Sequence, residues 1–544
     1  MKGNKMQEPS SHQLPVAIIG AGPIGLTTAL GLAYYGIPCV IYEDDATLSS
    51  DTKAGTLLTR TLEIFRRYGV ADDVLQQALR VDEIGEIDKR TQTSTFPVLL
   101  DALSLETRYP FVINLPQQDL EPILGDALNR SGLIQIKMQH KLLDFEQGQD
   151  SVRLRVQTPA GIIEEQAAFV LACDGGRSTV REQLGIVVEG TSLPVKYALI
   201  DLVVDLDLEN PRNYPYLAYF ADPEEWMILV RHPHCWRFLY PLAEGVEEPT
   251  ENELRDKSLS FIGQVSNVKV LNRVTYRVHH RVATRWRNGR VFLMGDAAHL
   301  ITPMWALGLN TGALDASNLP WRLAWYLKGW ASEQILDGYE REQRPLAIHG
   351  SGEMAEAARY SMSMRGDASV AMSDNNWSNA YTRSMLGVKL DVAGTNEWSM
   401  VTRSTRPAVR PGDRLPDYLV HTPDGKQVRI HDLCSGRFTA LYFSDVRRRP
   451  TVAHNGSAVL QHYAVSRYDA PHDSGLRNRS LLDPGNAFFD RLGIPSDTLV
   501  LVRPDEHIAA IVALDNAQGL HLAASLYESI TGMSPDIATE GKQE

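Results

Sequence analysis

Val16-Ala17-Ile18-Ile19-Gly20-Ala21-Gly22-Pro23-Ile24-Gly25 is the stretch that decides how this chain folds. An apolar run enters a glycine turn, and a helix-like sequence leaves it. The first glycine permits a tight turn, the second lets backbone approach a pyrophosphate, and the third lets the helix pack closely on the strand. Eighteen residues past Gly25, Glu43 closes a second apolar run, Pro38–Tyr42. An acid there accepts hydrogen bonds from the ribose hydroxyls of an adenosine. Gly20, Gly22, Gly25 and Glu43 are therefore candidate residues of a dinucleotide site.

Composition narrows the setting. A chain of 544 residues is too long for one core, so two to four domains are expected. The net charge of −13, from 54 basic and 67 acidic residues, gives no electrostatic footprint for nucleic acid or for a membrane surface. Cys39, Cys173, Cys235 and Cys434 are far apart, without a C-x-x-C, so a disulfide scaffold, a metal site and a dithiol centre are unsupported. A reducing, cytoplasmic setting is expected. The fingerprint glycines interrupt the apolar region Val16–Gly36, which argues against a signal peptide, and no apolar run reaches membrane-spanning length. Residues 1–13 read as a mobile tail.

Along the chain, a helix Thr61–Tyr68 stops at Gly69, and another starts near Gln117 with an apolar face of Leu120, Ile123, Leu124 and Leu128. Val152–Gln157 and Ala167–Ala172 read as strands, the second ending at Cys173-Asp174-Gly175. Between Leu184 and Val278 the β-branched and aromatic runs Tyr197–Val204, Tyr216–Phe220, Trp226–Val230 and Trp236–Tyr240 predict a mostly antiparallel sheet. A buried strand then enters Gly295-Asp296, and a long helical region covers roughly Gly312–Ala358. Residues 360–405 read as helix plus linker. A last unit has strands at Val428–Leu433, Phe438–Phe443 and Thr498–Arg503 and a terminal helix, Leu520–Ile530.

Three remote segments belong together: the fingerprint; Asp174-Gly175-Gly176-Arg177-Ser178-Thr179-Val180-Arg181; and Gly295-Asp296-Ala297-Ala298-His299, followed by Pro303 and Gly308-Leu309-Asn310-Thr311-Gly312. An aspartate entering a glycine turn can bind a polyol hydroxyl, and free N–H groups at a helix start can hold negative charge. On these motifs the chain resembles the single-component FAD-dependent aromatic hydroxylases of the para-hydroxybenzoate hydroxylase superfamily. Within it, the chain is most similar to the phenol and pentachlorophenol monooxygenase branch.

The resemblance implies an α/β fold: a Rossmann-like FAD-binding domain from 14–190 and 279–360, an inserted mostly antiparallel substrate sheet over 191–278, and a helical linker at 361–405. It also implies a thioredoxin-like domain at 406–544 that lacks redox cysteines. It places Gly20, Gly22, Gly25 and Glu43 on the AMP half of FAD, Lys53 and Arg60 near the pyrophosphate and isoalloxazine, and Gln117 on the flavin. Asp174 is linked with FAD and NAD(P)H, and Asp296 with the ribityl chain. Pro303 and the backbone of Gly308, Leu309 and Asn310 fall beside the flavin ring. Where the family commonly has Gly-Gln-Gly-Met-Asn, this chain has Ala306-Leu307-Gly308-Leu309-Asn310 after Met304-Trp305, and the bulk of Trp305 is expected to narrow the site or to restrict flavin movement.

The implied activity is hydroxylation of a phenolic ring with O2 and NADH or NADPH through a flavin C4a-hydroperoxide, in aromatic catabolism, with loss of a ring substituent where one occupies the attacked carbon. Tyr219 and Arg237 resemble substrate-site residues of the pentachlorophenol branch. The bland expectations are loop solvation for His232 and His234, and structural use for His279, His280 and His299. A homodimer is the family expectation. Alternatives are a tailoring hydroxylase of a polycyclic natural product, a non-oxygenating flavin reductase or dehydrogenase, and a catalytically silent binding protein. The absence of a second G-x-G-x-x-G weighs against two-dinucleotide enzymes, and the absence of Trp-x-Trp-x-Ile-Pro against a flavin halogenase.

Overall fold

The computed structural model describes residues 14–48, 55–89, 91–204, 206, 214–221, 226–242, 245, 248–263, 265, 267–356, 408–444, 457–467, 479–514 and 519–535. Its first sheet has six strands in the order Arg287–Asn288, Val291–Leu293, Val170–Ala172, Val16–Ile19, Cys39–Tyr42 and Ile134–Lys137. All neighbours run parallel except the pair formed by the first two. Val16–Ile19 lies inside this sheet with every residue buried, which is why its sequence is an unbroken apolar run rather than an alternating one. Helix Pro23–Tyr34 covers the sheet and packs on helix Leu307–Leu327.

A second sheet of eight strands runs His299–Leu300, Lys269–Ala283, Val188–Val203, Cys235–Pro241, Met227–His232, Leu217–Ala221, Glu83–Asp88 and Ser94–Leu99. It is antiparallel apart from the junction of Leu217–Ala221 with Glu83–Asp88. Side chains alternate between its faces. Ala198, Ile200, Phe220, Leu229, Trp236 and Phe238 build one core with Leu254 and Phe261 of helix Glu251–Ile262. Tyr197, Leu199, Tyr219, Ile228, Val230 and Leu239 build another, packed on Leu58, Met304, Trp305 and Leu307. The second face is thus the one turned toward the nucleotide segments.

The C-terminal unit is a seven-stranded sheet in the order Gln427–Arg429, Leu419–His421, Ser480–Leu482, Leu460–Ser466, Phe438–Ser444, Thr498–Val502 and Ile508–Ala513, followed by helix Gly519–Thr531. Its core is continuous with that of the first unit: Phe438 meets Trp321 and Trp325 edge-on at 5.7 and 6.3 Å. A buried ionic network joins the same two units. Arg60 Nη1 donates to Glu63 (2.9 Å) and Glu506 (2.7 Å), Arg67 Nε donates to Glu506 (3.1 Å), and Arg414 pairs with Glu63. Arg503 holds Asp505 and both carboxylate oxygens of Glu342, which also pairs with Arg322.

Several expectations need correction. The eight-stranded sheet is not built from one contiguous insertion, because it recruits the hairpin Glu83–Leu99, whose first strand buries residues 84–87 on both faces without an apolar run or an alternating pattern. The helical region after Gly312 is broken: helix Leu307–Leu327 ends, Gly329 takes a left-handed turn at φ 68°, and helix Gln334–Pro345 follows. Val428–Leu433 is a strand only to Arg429 and then a short helix, Ile430–Cys434, started by Asp417 Oδ1 accepting from the amide of His431. The linker expected at 361–405 and the tail at 1–13 lie outside the described residues.

Candidate cofactor and substrate site

Parallel pairing brings the three segments together. Ile19 aligns with Ala172, and Ala172 with Leu293, so the three strands end at one edge of the sheet. Gly20, Cys173-Asp174 and Met294-Gly295-Asp296 leave from that edge side by side, where open α/β sheets bind ligands. Gly20 has φ 102°, and a Cβ there would run into the carbonyl of Cys173. A Cβ on Gly25 would overlap the carbonyl oxygen of Gly20, so only glycine lets the helix start this close to the strand. Nothing lies within 4 Å of a Cβ built on Gly22, whose backbone borders open space. Ile24 reaches the third segment, against Gly295 and Gly312.

Polar contacts fix the turns relative to one another. Glu43 accepts from the amides of Ala21 (2.6 Å) and Asp45 (3.0 Å), which leaves lone pairs on the same carboxylate for ribose hydroxyls. Asp174 Oδ2 accepts from the amide of Val180 (3.2 Å), while its buried Oδ1 has no partner. Burial raises the pKa of this carboxyl despite the hydrogen bonds from Ser178 and Val180. Arg181, which the sequence reading passed over, ties the second segment to the third by donating to Ala297 O (3.0 Å) and Gly176 O (2.9 Å). Asp315 Oδ2 accepts from the amide of Gly295 (2.9 Å) and meets His299 Nε2 at 2.8 Å, which gives His299 the structural use expected for it.

The approach to helix Leu307–Leu327 is tightly wound. Trp305 and Ala306 both have positive φ, 59° and 57°, a conformation costing about 1–2 kcal/mol for each non-glycine residue. Gly308 and Leu309 form the first turn of the helix that follows this reversal, and Gly312, one turn on, comes against Ile24 and Gly295. Asn310 is engaged as a structural clasp. Its Oδ1 accepts from Leu58 N (2.9 Å) and Thr61 Oγ1 (2.6 Å), and its Nδ2 donates to Thr56 O (3.0 Å) and Ala306 O (2.7 Å). Pro303 and Asp296 sit in the short turns before it, and Gln117 opens helix Gln117–Ser131 and donates to Glu121 at 2.8 Å.

Two basic residues were expected near the pyrophosphate. Lys53 lies outside the described residues. Arg60 is a correction: its guanidinium is buried against Glu63, Glu506 and the carbonyl of Asp505, so it braces the C-terminal unit and does not reach the cleft.

On the sheet, Tyr219 and Arg237 both belong to the side facing the nucleotide segments, and both are buried. Asp201 lies directly across from Arg237 and accepts from its Nε (2.9 Å) and Nη2 (3.0 Å). His232 is a second correction. It sits at the end of strand Met227–His232 with zero exposure, both ring nitrogens are buried without a well-formed hydrogen bond, and a Cβ on Gly55 would overlap its Nε2. Burial, with Arg237 and Arg231 nearby, holds its pKa well below the usual range, so the ring is neutral. His234 is exposed, as expected. Asp201, His232 and Cys235 bring metal-ligating atoms within 4.8 Å of one another. Arg237 already holds both oxygens of Asp201, and burial pushes the Cys235 thiol up to about 12, so the cluster is set up as a protonated, charge-paired group rather than a metal centre.

This geometry defines a nucleotide-binding α/β protein with an aromatic-lined sheet over its site. A sequence profile described as an FAD binding domain matches residues 13–349, and the chain belongs to that family, the para-hydroxybenzoate hydroxylase type of flavoprotein. Among its relatives is para-nitrophenol 4-monooxygenase of Pseudomonas sp. (strain WBC-3), 28% identical over 63% of this chain and 85% of that protein. The 3-(3-hydroxy-phenyl)propionate/3-hydroxycinnamic acid hydroxylase of Burkholderia cenocepacia (strain HI2424) is 31% identical over 63% of this chain and 62% of its own length. Among solved structures, aklavinone-11 hydroxylase with FAD and aklavinone superimposes with a TM-score of 0.79 at 25% identity, covering 96% of this chain and 100% of the other. The p-nitrophenol 4-monooxygenase PnpA of Pseudomonas putida DLL-E4 gives 0.62 at 27% identity, covering 69% and 96%. The cradle fits FAD: open backbone at Gly22, spare acceptor capacity on Glu43 and the orphaned buried oxygen of Asp174 suit a pyrophosphate flanked by hydroxyl-bearing groups. Among the described residues no helix is long and apolar enough to cross a membrane.

Proposed function

We propose that this protein is a flavin monooxygenase that hydroxylates a phenolic aromatic ring using O2 and NADH or NADPH. The carrying observation is the meeting of three remote segments at one sheet edge, together with a buried sheet face, rich in aromatic and aliphatic side chains, that packs on Met304, Trp305 and Leu307. The names of the relatives, a nitrophenol monooxygenase and a hydroxyphenylpropionate hydroxylase, support the same chemistry. Bound FAD supplies the exchange of electrons with the nicotinamide and the activation of O2. The chain supplies everything else. Glu43 and the Gly20–Gly25 turn hold the adenosine and pyrophosphate, and Asp174 and Asp296 take hydroxyls. The first-turn amides of Gly308 and Leu309 stabilise negative charge at the reacting end. Tyr219, Met304 and Trp305 exclude water and fix the ring in position, which is the entropic part of the catalysis. The C-terminal unit is read as thioredoxin-like without thiol chemistry, since burial keeps its Cys434 protonated.

The test is a screen of substituted phenols for stimulated NADH or NADPH consumption by the yellow, FAD-loaded protein, with labelled O2 traced into product. Nicotinamide oxidation without label in any product would mark a reductase instead. A second reading, tailoring of a polycyclic phenol, is favoured by one observation: the aklavinone hydroxylase covers 96% of this chain whereas PnpA covers 69%. Turnover of fused-ring phenols with none of single-ring ones would select it.

A further inference from the structure

The sheet face that looks onto the nucleotide segments carries charge that cancels itself. Its fully buried cation, among the described residues, is Arg237, and Asp201 takes two of its hydrogen bonds with side-chain exposures of 5% and 3%. Of the basic groups next along the sheet, His280 shares the side of Val278 and lies against Gly352, and Arg231 and Lys196 belong to the opposite side. Arg231 alternates with Val230 and His232, lies over the ring of Trp236 at 5.6 Å and donates to the carbonyls of His232 and Cys235. Lys196 alternates with Tyr197 and points away from the Tyr197–Leu199 face. His232, the remaining basic group beside Arg237, is buried and neutral. Around these groups the face is Tyr197, Leu199, Tyr219, Trp226, Ile228 and Leu239.

A carboxylate carried into such a place loses its water and needs a cation or several N–H donors in exchange. Here the available guanidinium is already neutralised, and the carboxylate that neutralises it would repel a second one. We propose that the substrate ring bears no carboxylate: apart from the reacting hydroxyl, its substituents are uncharged groups such as nitro, halo, alkyl, ester or a fused ring. This rests on the hydroxylase reading above and selects within it. It sets the chain apart from a hydroxylase of a phenylpropionate, although one such enzyme is among its relatives.

The experiment uses the full-length FAD-loaded protein and matched pairs that differ only in charge: 4-hydroxybenzoate with its methyl ester, 3-(3-hydroxyphenyl)propionate with its methyl ester, and a fused-ring phenol with its carboxylated analogue. The readout is kcat/KM for product formation, together with substrate Kd from flavin fluorescence. In each pair that turns over, the neutral member is expected to exceed the acid by about tenfold or more, the scale of leaving a buried charge unpaired. An acid equal to or better than its neutral partner overturns the inference and leaves the hydroxylase reading standing. No stimulation by any member removes the hydroxylase reading, and this inference falls with it. Asp201→Asn uncovers the charge of Arg237 and is expected to shrink the neutral-over-acid ratio; an unchanged ratio in folded, FAD-loaded Asp201→Asn protein refutes the charge-pairing explanation. Where that variant does not fold, the ratio in the unaltered protein decides alone.

Discussion

Arg181 is the residue whose work is easiest to isolate. It touches two carbonyls on different segments of the nucleotide cradle, Gly176 and Ala297. Arg181→Met is expected to weaken FAD binding by about 1–3 kcal/mol, the range for losing charge-assisted hydrogen bonds, as read by fluorescence titration of the apoprotein. Gly25→Ala brings a methyl group into the carbonyl of Gly20, and the purified variant is expected to be colourless, with an absorbance ratio at 450 and 280 nm far below that of the parent. Gly25 was legible in the sequence because glycine spacing records a backbone demand. Arg181 was not, because an arginine at the end of a loop-to-helix segment has no pattern that reveals which carbonyls it will reach. His232 misled for the opposite reason: flanked by Pro233 and His234 it reads as a turn residue, and its burial depends on Gly55, far away in the chain.

At the scale of elements, the left-handed pair Trp305-Ala306 sets the direction of helix Leu307–Leu327. Ala306 gives little side-chain packing in return for its conformation, so Ala306→Gly is expected to stabilise the protein by about 1 kcal/mol, seen as a higher urea midpoint with unchanged FAD content. The central strands Val16–Ile19, Cys39–Tyr42 and Val170–Ala172 of the parallel sheet and Phe438–Ser444 and Thr498–Val502 of the C-terminal sheet were readable because continuous apolar runs between turn residues have few other solutions, whereas mixed-polarity strands such as Ile134–Lys137 and Leu460–Ser466 were not. Glu83–Asp88 was unreadable for a physical reason. Its sequence Glu83-Ile84-Gly85-Glu86-Ile87-Asp88 mixes acids, a glycine and two isoleucines without the period of a strand, and its place beside Leu217–Ala221 is decided by partners more than a hundred residues away. Asp417 likewise overrides the β-branched run Val428–Ile430 by offering its carboxylate to the amide of His431, which starts a helix where a strand was expected.

Across the whole molecule, stability is tied to buried carboxylates that must stay ionised. Burial alone would raise the pKa of Glu63, but Arg414 and Arg60 hold it at about 2, against 4.5 for a free side chain. Glu506 and Asp505 are also held well below their usual values, against burial, chiefly by Arg67 and Arg503. Depressed values mean that this contribution is complete above the unfolded pKa and is lost as the pH falls from about 4.5 toward 2. Circular dichroism is therefore expected to show cooperative acid unfolding in that window. Glu506→Gln leaves Arg60 and Arg67 buried without their shared counter-charge, and a loss of about 3–5 kcal/mol is expected in denaturant titrations at neutral pH. None of this was legible beforehand, since the bond from Arg60 to Glu506 spans 446 positions. The same span governs assembly on the ribosome. Helix Thr59–Arg67 emerges early with two arginines that have no dry resting place until the Arg503–His507 turn has been made. The nucleotide half of this protein must wait, half-finished, for residues made more than four hundred positions later.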